Sequence, residues 1–239
     1  MQRTIITTED GSPSIYVKEI DECYHSIHGA RQESTHIFIQ TALRHHASKR
    51  LTILEVGFGT GLNALLACMT AEQHQINIDY IGIERYPISC QEAEQLLHHT
   101  FSTEEQRIFQ LLHASSTHNY TTITPHFRLQ KQETDFTQLQ LPPNSVDIIF
   151  FDAFSPEKQP EMWTQERFDM LYLACRPNAV LTTYCAKGVV RRAMQQAGFT
   201  VERLPGPPGK REILRATKKT LDATFHPPQA LHTYNKQSE

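Results

Sequence analysis

The 239-residue sequence predicts an α/β fold with a mostly parallel sheet and helices on both of its faces. From residue 51 onward, apolar strand-like runs alternate with segments of helical spacing. The run 146–152 contains four consecutive large apolar residues, as expected for a strand buried on both faces. The length suits one substantial domain and is too short for two large ones.

Seven strands are expected in this sheet, at residues 51–56, 77–84, 127–133, 146–152, 179–185, 199–204 and 212–217. Helices are expected at residues 62–72, 87–98, 104–112, 165–175 and 189–197. Pro87 suits the first turn of its helix, and Gly198 suits the end of the last one. The last two strands flank a turn rich in Pro and Gly, so they should pair as a hairpin that adds an antiparallel edge strand.

The N-terminal part has a different pattern, which predicts a small extension of the main domain. Strand-like runs at 4–8 and 14–17 are joined by Asp10-Gly11, a hairpin signal, and residues 33–46 have helical spacing. The polar segment 24–33 would permit a lid. We therefore expect an extension at 1–48, the main domain at 49–220 and a loosely held polar tail at 221–239.

Composition excludes several classes of protein. No apolar run approaches 18 residues, so no membrane span is expected. The five cysteines form no C-x-x-C pair, which indicates reduced thiols in a cytoplasmic protein. The thirteen histidines include no H-E-x-x-H, and no metal site is expected. Neither a G-x-S-x-G nor a Walker sequence is present, so hydrolase and kinase functions have no local support.

The strongest motif follows the first strand of the main domain and reads Glu55-Val56-Gly57-Phe58-Gly59-Thr60-Gly61-Leu62-Asn63. Glycines in such a turn let a ligand lie against the backbone, and the helix start offers N–H groups to it. Leu62 occupies the place of the third glycine of a dinucleotide fingerprint. Glu55 can pair with the ammonium of an amino-acid ligand. The motif therefore favours a methyltransferase that uses S-adenosylmethionine.

Four further acidic residues lie at or just after the ends of strands of the same sheet. Glu84 ends the second strand, where a carboxylate accepts hydrogen bonds from two ribose hydroxyls. Glu133 and Asp135 follow the third strand and are alternatives for the adenine amino group, with Glu133 slightly favoured. Asp152 lies at the carboxyl edge of the sheet, where it can orient an amine beside a sulfonium and accept its proton.

The charge distribution leaves two interpretations open. The formal net charge is −3, yet residues 176–219 contain ten Lys or Arg against two acids. Such a segment can neutralise phosphates. It can equally be a solvated face that is balanced by acids folded nearby.

Together these motifs resemble the methyltransferase domain of MnmC and its stand-alone relative MnmD. The resemblance covers residues 21–216 and includes the glycine turn, Glu84-Arg85-Tyr86-Pro87, the segment 151–164 from Phe151-Asp152 to Trp163-Thr164, and Gly209-Lys210-Arg211-Glu212-Ile213-Leu214. It implies a Rossmann-like class I methyltransferase. The resemblance further implies that the substrate is the amine of 5-aminomethyl-2-thiouridine at the tRNA wobble position, which the enzyme would methylate. Since about twenty residues follow the last expected strand, no oxidase domain and no flavin are expected.

The resemblance also implies roles for individual residues. Asp152 would hold the target amine, and the cofactor would contact Glu55, Gly57, Gly59, Gly61, Asn63, Glu84, Glu133 and Asp152. Contacts with tRNA phosphates are expected from Lys187, Arg191, Arg192, Lys210 and Arg211. The base would be contacted by Phe154, Pro156, Trp163 and Tyr24, since RNA bases commonly stack on aromatic rings. The alternatives are an aminopropyltransferase or small-molecule methyltransferase, and a non-catalytic RNA-binding protein.

Overall fold

A computed structural model of the chain describes residues 2–97 and 100–220. The expected tail at 221–239 and the expected helix end at 98 lie outside these residues. The strands are β1 (Arg3–Thr7), β2 (Pro13–Val17), β3 (Glu22–Cys23), β4 (Arg50–Val56), β5 (Asn77–Glu84), β6 (Thr121–Thr124), β7 (Phe127–Glu133), β8 (Val146–Phe151), β9 (Cys175–Thr183), β10 (Thr200–Pro205) and β11 (Glu212–Thr217). The α-helices are α1 (Ala30–Ser34), α2 (Leu62–His74), α3 (Cys90–Gln95), α4 (Thr103–Ala114), α5 (Gln165–Ala174) and α6 (Gly188–Ala197).

The main sheet has the strand order β10-β11-β9-β8-β4-β5-β7-β6. Its five central strands are parallel, whereas β6 pairs antiparallel with β7 and β10–β11 form the expected antiparallel hairpin. From β4 the chain adds β5, β6 and β7 on one side of the sheet, and it then crosses back to add β8 on the other side of β4. Ligands of open α/β sheets bind at such a reversal, beyond the carboxyl ends of the two strands.

The sheet has eight strands in the described chain rather than the seven expected from sequence. The additional strand is β6, a short run of threonines and one isoleucine at the edge. Because an edge strand has one side free of neighbours, it needs no long apolar run. Its sequence therefore lacks the hydrophobic signal that marks β8.

Both faces of the sheet are covered, as β8 illustrates. Ile148 and Phe150 pack on the face with α2, α4 and the N-terminal segment, whereas Ile149 and Phe151 pack on the face with α5 and α6. Alternate residues of a strand point to opposite faces. The continuous apolar run is thus explained by two separate core layers.

The N-terminal segment belongs to the first of these layers. The hairpin of β1 and β2 turns at Asp10-Gly11 as expected, and β3 adds a third antiparallel strand. Ile15 and Val17 lie in the same core cluster as the central strands, and the Phe38 ring lies 5.1 Å from that of Phe150. The extension therefore packs directly on the sheet that carries the site.

Two helices differ from the sequence prediction. The helix expected at 33–46 is α1, followed by a π-helix at Thr35–Gln40 and a 3-10 turn at Leu43–His45. The wide turn is closed by Thr41, whose N–H and hydroxyl both donate to the His36 carbonyl. The helix expected to begin at Pro87 begins at Cys90, because Ser89 and Glu92 form a capping box there.

In the described residues, no helix combines the length and apolar character that crossing a bilayer requires.

Candidate active site

The turn after β4 brings two backbones into close approach. Gly57 has φ +90°, and a Cβ placed on it would lie 2.5 Å from the Asp152 carbonyl oxygen. The Asp152 N–H also donates to the Val56 carbonyl at 2.9 Å. Glycine is therefore required at 57 both by its dihedral angle and by the neighbouring strand. The loop and the Asp152 backbone are fixed to each other.

The next glycines shape the turn in different ways. Gly59 has φ +54°, and its N–H donates to Glu84 Oε2 at 3.0 Å. The Tyr24 ring lies against Gly59, where a Cβ would come within 2.8 Å of it. Gly61 has φ +76° and precedes α2, but its neighbours are Phe58 and His113 rather than the cavity.

A cavity of about 430 Å³ opens at this edge of the sheet. Gly57, Gly59, Glu84 and Asp152 line it, as does the segment from Glu22 to His28. Six carboxyl groups face it against two Lys or Arg side chains, so its lining favours cationic ligands. The carboxylates belong to Glu22, Glu33, Glu84, Asp135, Asp152 and Glu161.

Asn63 links two acids beneath the loop. Its Nδ2 donates to Glu55 Oε1 at 2.8 Å and to Asp152 Oδ2 at 2.9 Å. The Asn63 Oδ1 is buried and has no hydrogen-bond partner among the described residues. The first turn of α2 thus holds the Asp152 carboxyl in place and leaves one acceptor free beside it.

Glu55 does not lie where the sequence interpretation put it. Its side chain is fully buried and does not line the cavity. Burial raises the pKa of Glu55 well above its usual value, against the lowering effect of the Asn63 hydrogen bond. A fully buried carboxyl outside the cavity is poorly placed to pair with a ligand ammonium, so we assign Glu55 to holding Asn63.

Asp152 has the properties expected of a proton acceptor near neutral pH. Burial and the negative charge of Glu33 raise the pKa of Asp152, whereas the Asn63 hydrogen bond and Lys210 lower it, and the net result is a pKa of about 7. A general base works best when its pKa is close to the working pH.

Of the two acids considered for adenine, Asp135 lines the cavity and Glu133 does not. Glu133 is exposed at the end of β7. Asp135 is held by the Thr137 N–H at 2.9 Å and by Arg85 at 2.8 Å. The geometry therefore favours Asp135, contrary to the slight preference for Glu133.

The aromatic residues considered for base stacking fall into two groups. Trp163 is only 6% exposed, donates from Nε1 to the Phe154 carbonyl at 2.8 Å, packs on Phe151 and does not line the cavity, so its packing gives the expected stacking role no support. Tyr24 and Phe154 line the cavity, with ring centroids 5.2 Å apart. Pro156 is partly exposed on the following turn but does not line the cavity.

Five of the ten basic residues in segment 176–219 form ion pairs within the described chain. Ion pairs join Arg176 to Asp147, Lys187 to Glu157, Arg203 to Glu212, Lys210 to Glu33 and Arg215 to Glu202. Within the described chain, Arg191, Arg192 and Arg211 have no such partner. Balance by nearby acids thus explains about half of the basic residues, as the second sequence interpretation proposed.

Lys210 in particular is not a surface residue. It lines the cavity, pairs with Glu33 at 3.2 Å and lies over the Tyr184 ring at 4.8 Å. Sequence reasoning missed Glu22, Glu33 and Tyr184 altogether. Glu33 lies in the segment 24–33 that was expected to form a lid, and Glu22 lies just before it. The polar character of that segment was the only sequence signal for either residue.

No cluster of three or more His, Cys, Asp or Glu side chains suited to a metal ion occurs within residues 2–97 and 100–220.

A glycine turn at the strand reversal, with an acid ending β5 and a carboxyl after β8, defines the class I methyltransferase site that uses S-adenosylmethionine. The model of a family described as S-adenosyl-L-methionine-dependent methyltransferase matches residues 91–219. The chain belongs to this family, and it is an enzyme with S-adenosylmethionine as its cofactor.

Curated relatives specify the resemblance further. The tRNA 5-methylaminomethyl-2-thiouridine biosynthesis bifunctional protein MnmC of Pseudomonas savastanoi pv. phaseolicola is 32% identical over 246 residues. This match covers 93% of the present chain and 36% of the relative. The protein of the same name from Pseudoalteromonas translucida is 30% identical over 239 residues, with 88% and 35% covered. The chain thus spans about a third of the length of these relatives, and the resemblance to MnmC is confirmed.

Solved structures support the fold. MNMC2 from Aquifex aeolicus superposes with a TM-score of 0.74 at 23% identity, covering 91% of this chain and 71% of that one. Spermidine synthase from Thermotoga maritima superposes with a TM-score of 0.60 at 13% identity, covering 98% and 75%. The predicted α/β class with a mostly parallel sheet is confirmed.

Proposed function

We propose that this protein transfers a methyl group from S-adenosylmethionine to the exocyclic amine of 5-aminomethyl-2-thiouridine at the tRNA wobble position. The product would be 5-methylaminomethyl-2-thiouridine, the nucleoside in the name of the curated relatives. The proposal depends most on one observation, which is that the Asp152 carboxyl lines the cavity at the strand reversal with a pKa of about 7.

The residues present fit the cofactor. Gly57 and Gly59 offer a backbone surface without side chains, and both Glu84 oxygens keep acceptor capacity beyond their bonds to Gly59 and Tyr86. Asn63 is buried and does not line the cavity, so its proposed part is to hold the Asp152 carboxyl through Nδ2. Asp135 would accept from the adenine amino group. When bound, S-adenosylmethionine supplies an electrophilic methyl group on a sulfonium and leaves as S-adenosylhomocysteine.

Asp152 would prepare the amine. A primary alkylamine resembles the lysine side chain, with a pKa of about 10, so it arrives as an ammonium without a lone pair. In the proposed step Asp152 first accepts a proton from the ammonium, which frees the nitrogen lone pair for attack on the methyl group that the bound cofactor would supply. Orienting the two reactants can supply roughly 7–11 kcal/mol of the barrier reduction. The step balances without a metal or a flavin.

The substrate side of the proposal rests on two surfaces. Tyr24 and Phe154 form an aromatic pair in the cavity lining, on which a base turned out of the anticodon loop would stack. Arg191, Arg192 and Arg211 would contact phosphates, since they have no acidic partner in the described chain. Lys187 would contribute less because Glu157 already pairs with it. We place this reaction in the cytoplasm, where tRNA is modified.

The proposal is tested by methyl transfer to total tRNA from cells that lack this activity, followed by nucleoside mass analysis. We expect one new product, 5-methylaminomethyl-2-thiouridine. Asp152→Asn should lower turnover by about 10²–10⁴-fold, the range of general base catalysis, while cofactor affinity changes little. A methyl group on another nucleoside would exclude the proposed substrate, and equal losses of turnover and cofactor affinity would exclude the proposed role of Asp152.

The acidic lining also fits a second candidate, an aminopropyltransferase or methyltransferase acting on a small polyamine. Such an enzyme would use putrescine or spermidine in the absence of RNA, and its rate would be independent of Arg191, Arg192 and Arg211. Assay of these amines beside tRNA distinguishes the two functions.

A further inference from the structure

An ion pair lies on the wall of the cavity without a role in the proposed reaction. Lys210 Nζ lies 3.2 Å from Glu33 Oε1, and the two side chains are 27% and 12% exposed. They come from distant parts of the chain, since Glu33 is on α1 and Lys210 is on the turn between β10 and β11. Both line the same cavity as Asp152.

The pair is held in a fixed relation to the segment that begins at Asp152. Glu33 Oε2 accepts a hydrogen bond from the Ser26 N–H at 2.9 Å. The Lys210 ammonium lies 4.8 Å from the centroid of the Tyr184 ring, and the Tyr184 hydroxyl donates to the Ala153 carbonyl at 2.9 Å. Contacts thus run from α1 through Lys210 to the residue next to Asp152.

We propose that Glu33 and Lys210 are positioning residues that act through Asp152 during methyl transfer. The negative charge of Glu33 disfavours the ionised form of Asp152, and the positive charge of Lys210 favours it. This inference rests on the proposed role of Asp152 as the proton acceptor. Two opposite charges beside one carboxyl would keep it available both to take and to release a proton near neutral pH.

The other ionisable groups around Asp152 support this assignment. They are Glu55 on β4, Tyr80 and Glu84 on β5, Tyr184 directly after β9, and Glu22 on β3. Burial raises the pKa values of Tyr80 and Tyr184, so both hydroxyls are neutral near pH 7, and burial raises the pKa of Glu55 as well. Of the charged residues that line the cavity, Glu33 raises the pKa of Asp152 and Lys210 lowers it.

The test measures the titration of Asp152 directly in the full-length, ligand-free protein. Its carboxyl carbon is observed by NMR and assigned by its absence from Asp152→Asn. The wild-type midpoint should lie at about 7. Glu33→Gln, which keeps an acceptor for Ser26, should lower the midpoint, and Lys210→Met should raise it, each by roughly half a pH unit or more. The double variant should return close to the wild-type value.

Matched variants separate this effect from general disturbance. Glu104→Gln and Arg107→Met break an exposed pair on α4 and should leave the midpoint unchanged. Lys210→Arg keeps the charge and should stay close to wild type. Amide spectra establish that each variant is folded. Shifts of the same sign in Glu33→Gln and Lys210→Met, or no shift in either, would overturn the inference.

The pH dependence of methyl transfer in the same variants distinguishes this inference from the proposed function. The acidic limb of kcat/KM for tRNA methylation should move in the same directions as the NMR midpoints. Opposite NMR shifts without any methylation of tRNA would refute the proposed substrate only. Methylation with unshifted midpoints would refute the role of the pair only.

Discussion

At the scale of single residues, Asp152 combines a functional position with a cost in stability. Its carboxyl is held by Asn63 between the cavity and the buried Glu55. A carboxyl whose pKa is raised by burial is easier to keep protonated than ionised in the folded chain. At neutral pH, where half or more of it is ionised, the site therefore destabilises the fold.

The pH dependence of stability follows from the sign of this shift. The pKa of Asp152 rises from 3.8 to about 7 on folding. The folded state thus binds the proton more tightly, and the carboxyl contributes stability below about pH 4 that is lost as the pH rises through 7. Asp152→Asn, which stays neutral, should melt higher than wild type by a margin that grows between about pH 4 and pH 7 and is constant above about pH 8.

Above about pH 8 we expect the melting temperature of Asp152→Asn to exceed that of wild type by several degrees, given about 2–4 °C per kcal/mol for a chain of this size. Thermal unfolding of both proteins across both of these pH ranges measures the margin. Asp169→Asn is the matched control because Asp169 is exposed on α5, and it should show no such increment. A constant margin at all pH values would contradict the expected protonation of Asp152.

Several site residues were beyond the reach of sequence reasoning. Glu33 and Lys210 are far apart in the chain, and nothing in their local sequence shows that they meet. Glu55 lies in a recognisable motif, but only the structure shows that Asn63 stands between it and Asp152. Short motifs therefore predicted which segments form the site, whereas side-chain partners depended on tertiary packing.

At the scale of elements, the parallel strands were the most predictable part of the molecule. β5 and β7 have the bounds expected from their sequence, although β7 is polar and buries only Phe127 and Leu129. β6 was missed because an edge strand of threonines carries little hydrophobic signal. α3 was expected too early because Pro87 suggested a first turn, whereas Ser89 supplies the cap.

The glycine turn after β4 makes the clearest prediction at this scale. Gly57→Ala would combine a positive φ with a Cβ 2.5 Å from the Asp152 carbonyl oxygen, and that backbone has little freedom to move. We expect a loss of roughly 2–4 kcal/mol in the free energy of unfolding, measured in urea.

Gly188→Ala is the matched control at the start of α6. Its Cβ would meet the flexible end of Arg192 at 3.2 Å, and no positive φ is involved. The expected change in unfolding free energy is within about 0.5 kcal/mol. Similar losses for both variants would show that the approach of Gly57 to β8 is not the cause.

At the scale of the whole molecule, the surface proposed for the amine and the surface proposed for the tRNA phosphates are separate. The acidic cavity suits a cation, whereas the unpaired arginines of α6 and the β10–β11 turn suit phosphates. Binding of a polyanion releases counterions, so its affinity falls as salt rises. The proposed tRNA substrate therefore predicts a strong dependence of kcat/KM on salt.

Replacing Arg191, Arg192 and Arg211 together with Gln should weaken this dependence. The slope of log kcat/KM against log salt should fall by about 2, given a slope near 0.7–0.9 for each phosphate contact. The KM for S-adenosylmethionine should stay the same. Arg203→Gln is the control, since Glu212 already pairs with Arg203, and it should leave the slope unchanged. An unaltered slope in the triple variant would exclude this surface as the phosphate contact.

The close approach of Gly57 to the Asp152 backbone has a consequence for redesign. Because the glycine turn and the Asp152 backbone are braced against each other, neither can be reshaped alone. The Tyr24–His28 segment and the turn bearing Lys210 meet this scaffold through side chains, with Tyr24 against Gly59 and Lys210 over the Tyr184 ring. Engineering toward a new amine acceptor should therefore vary these two rims and leave the inner scaffold untouched.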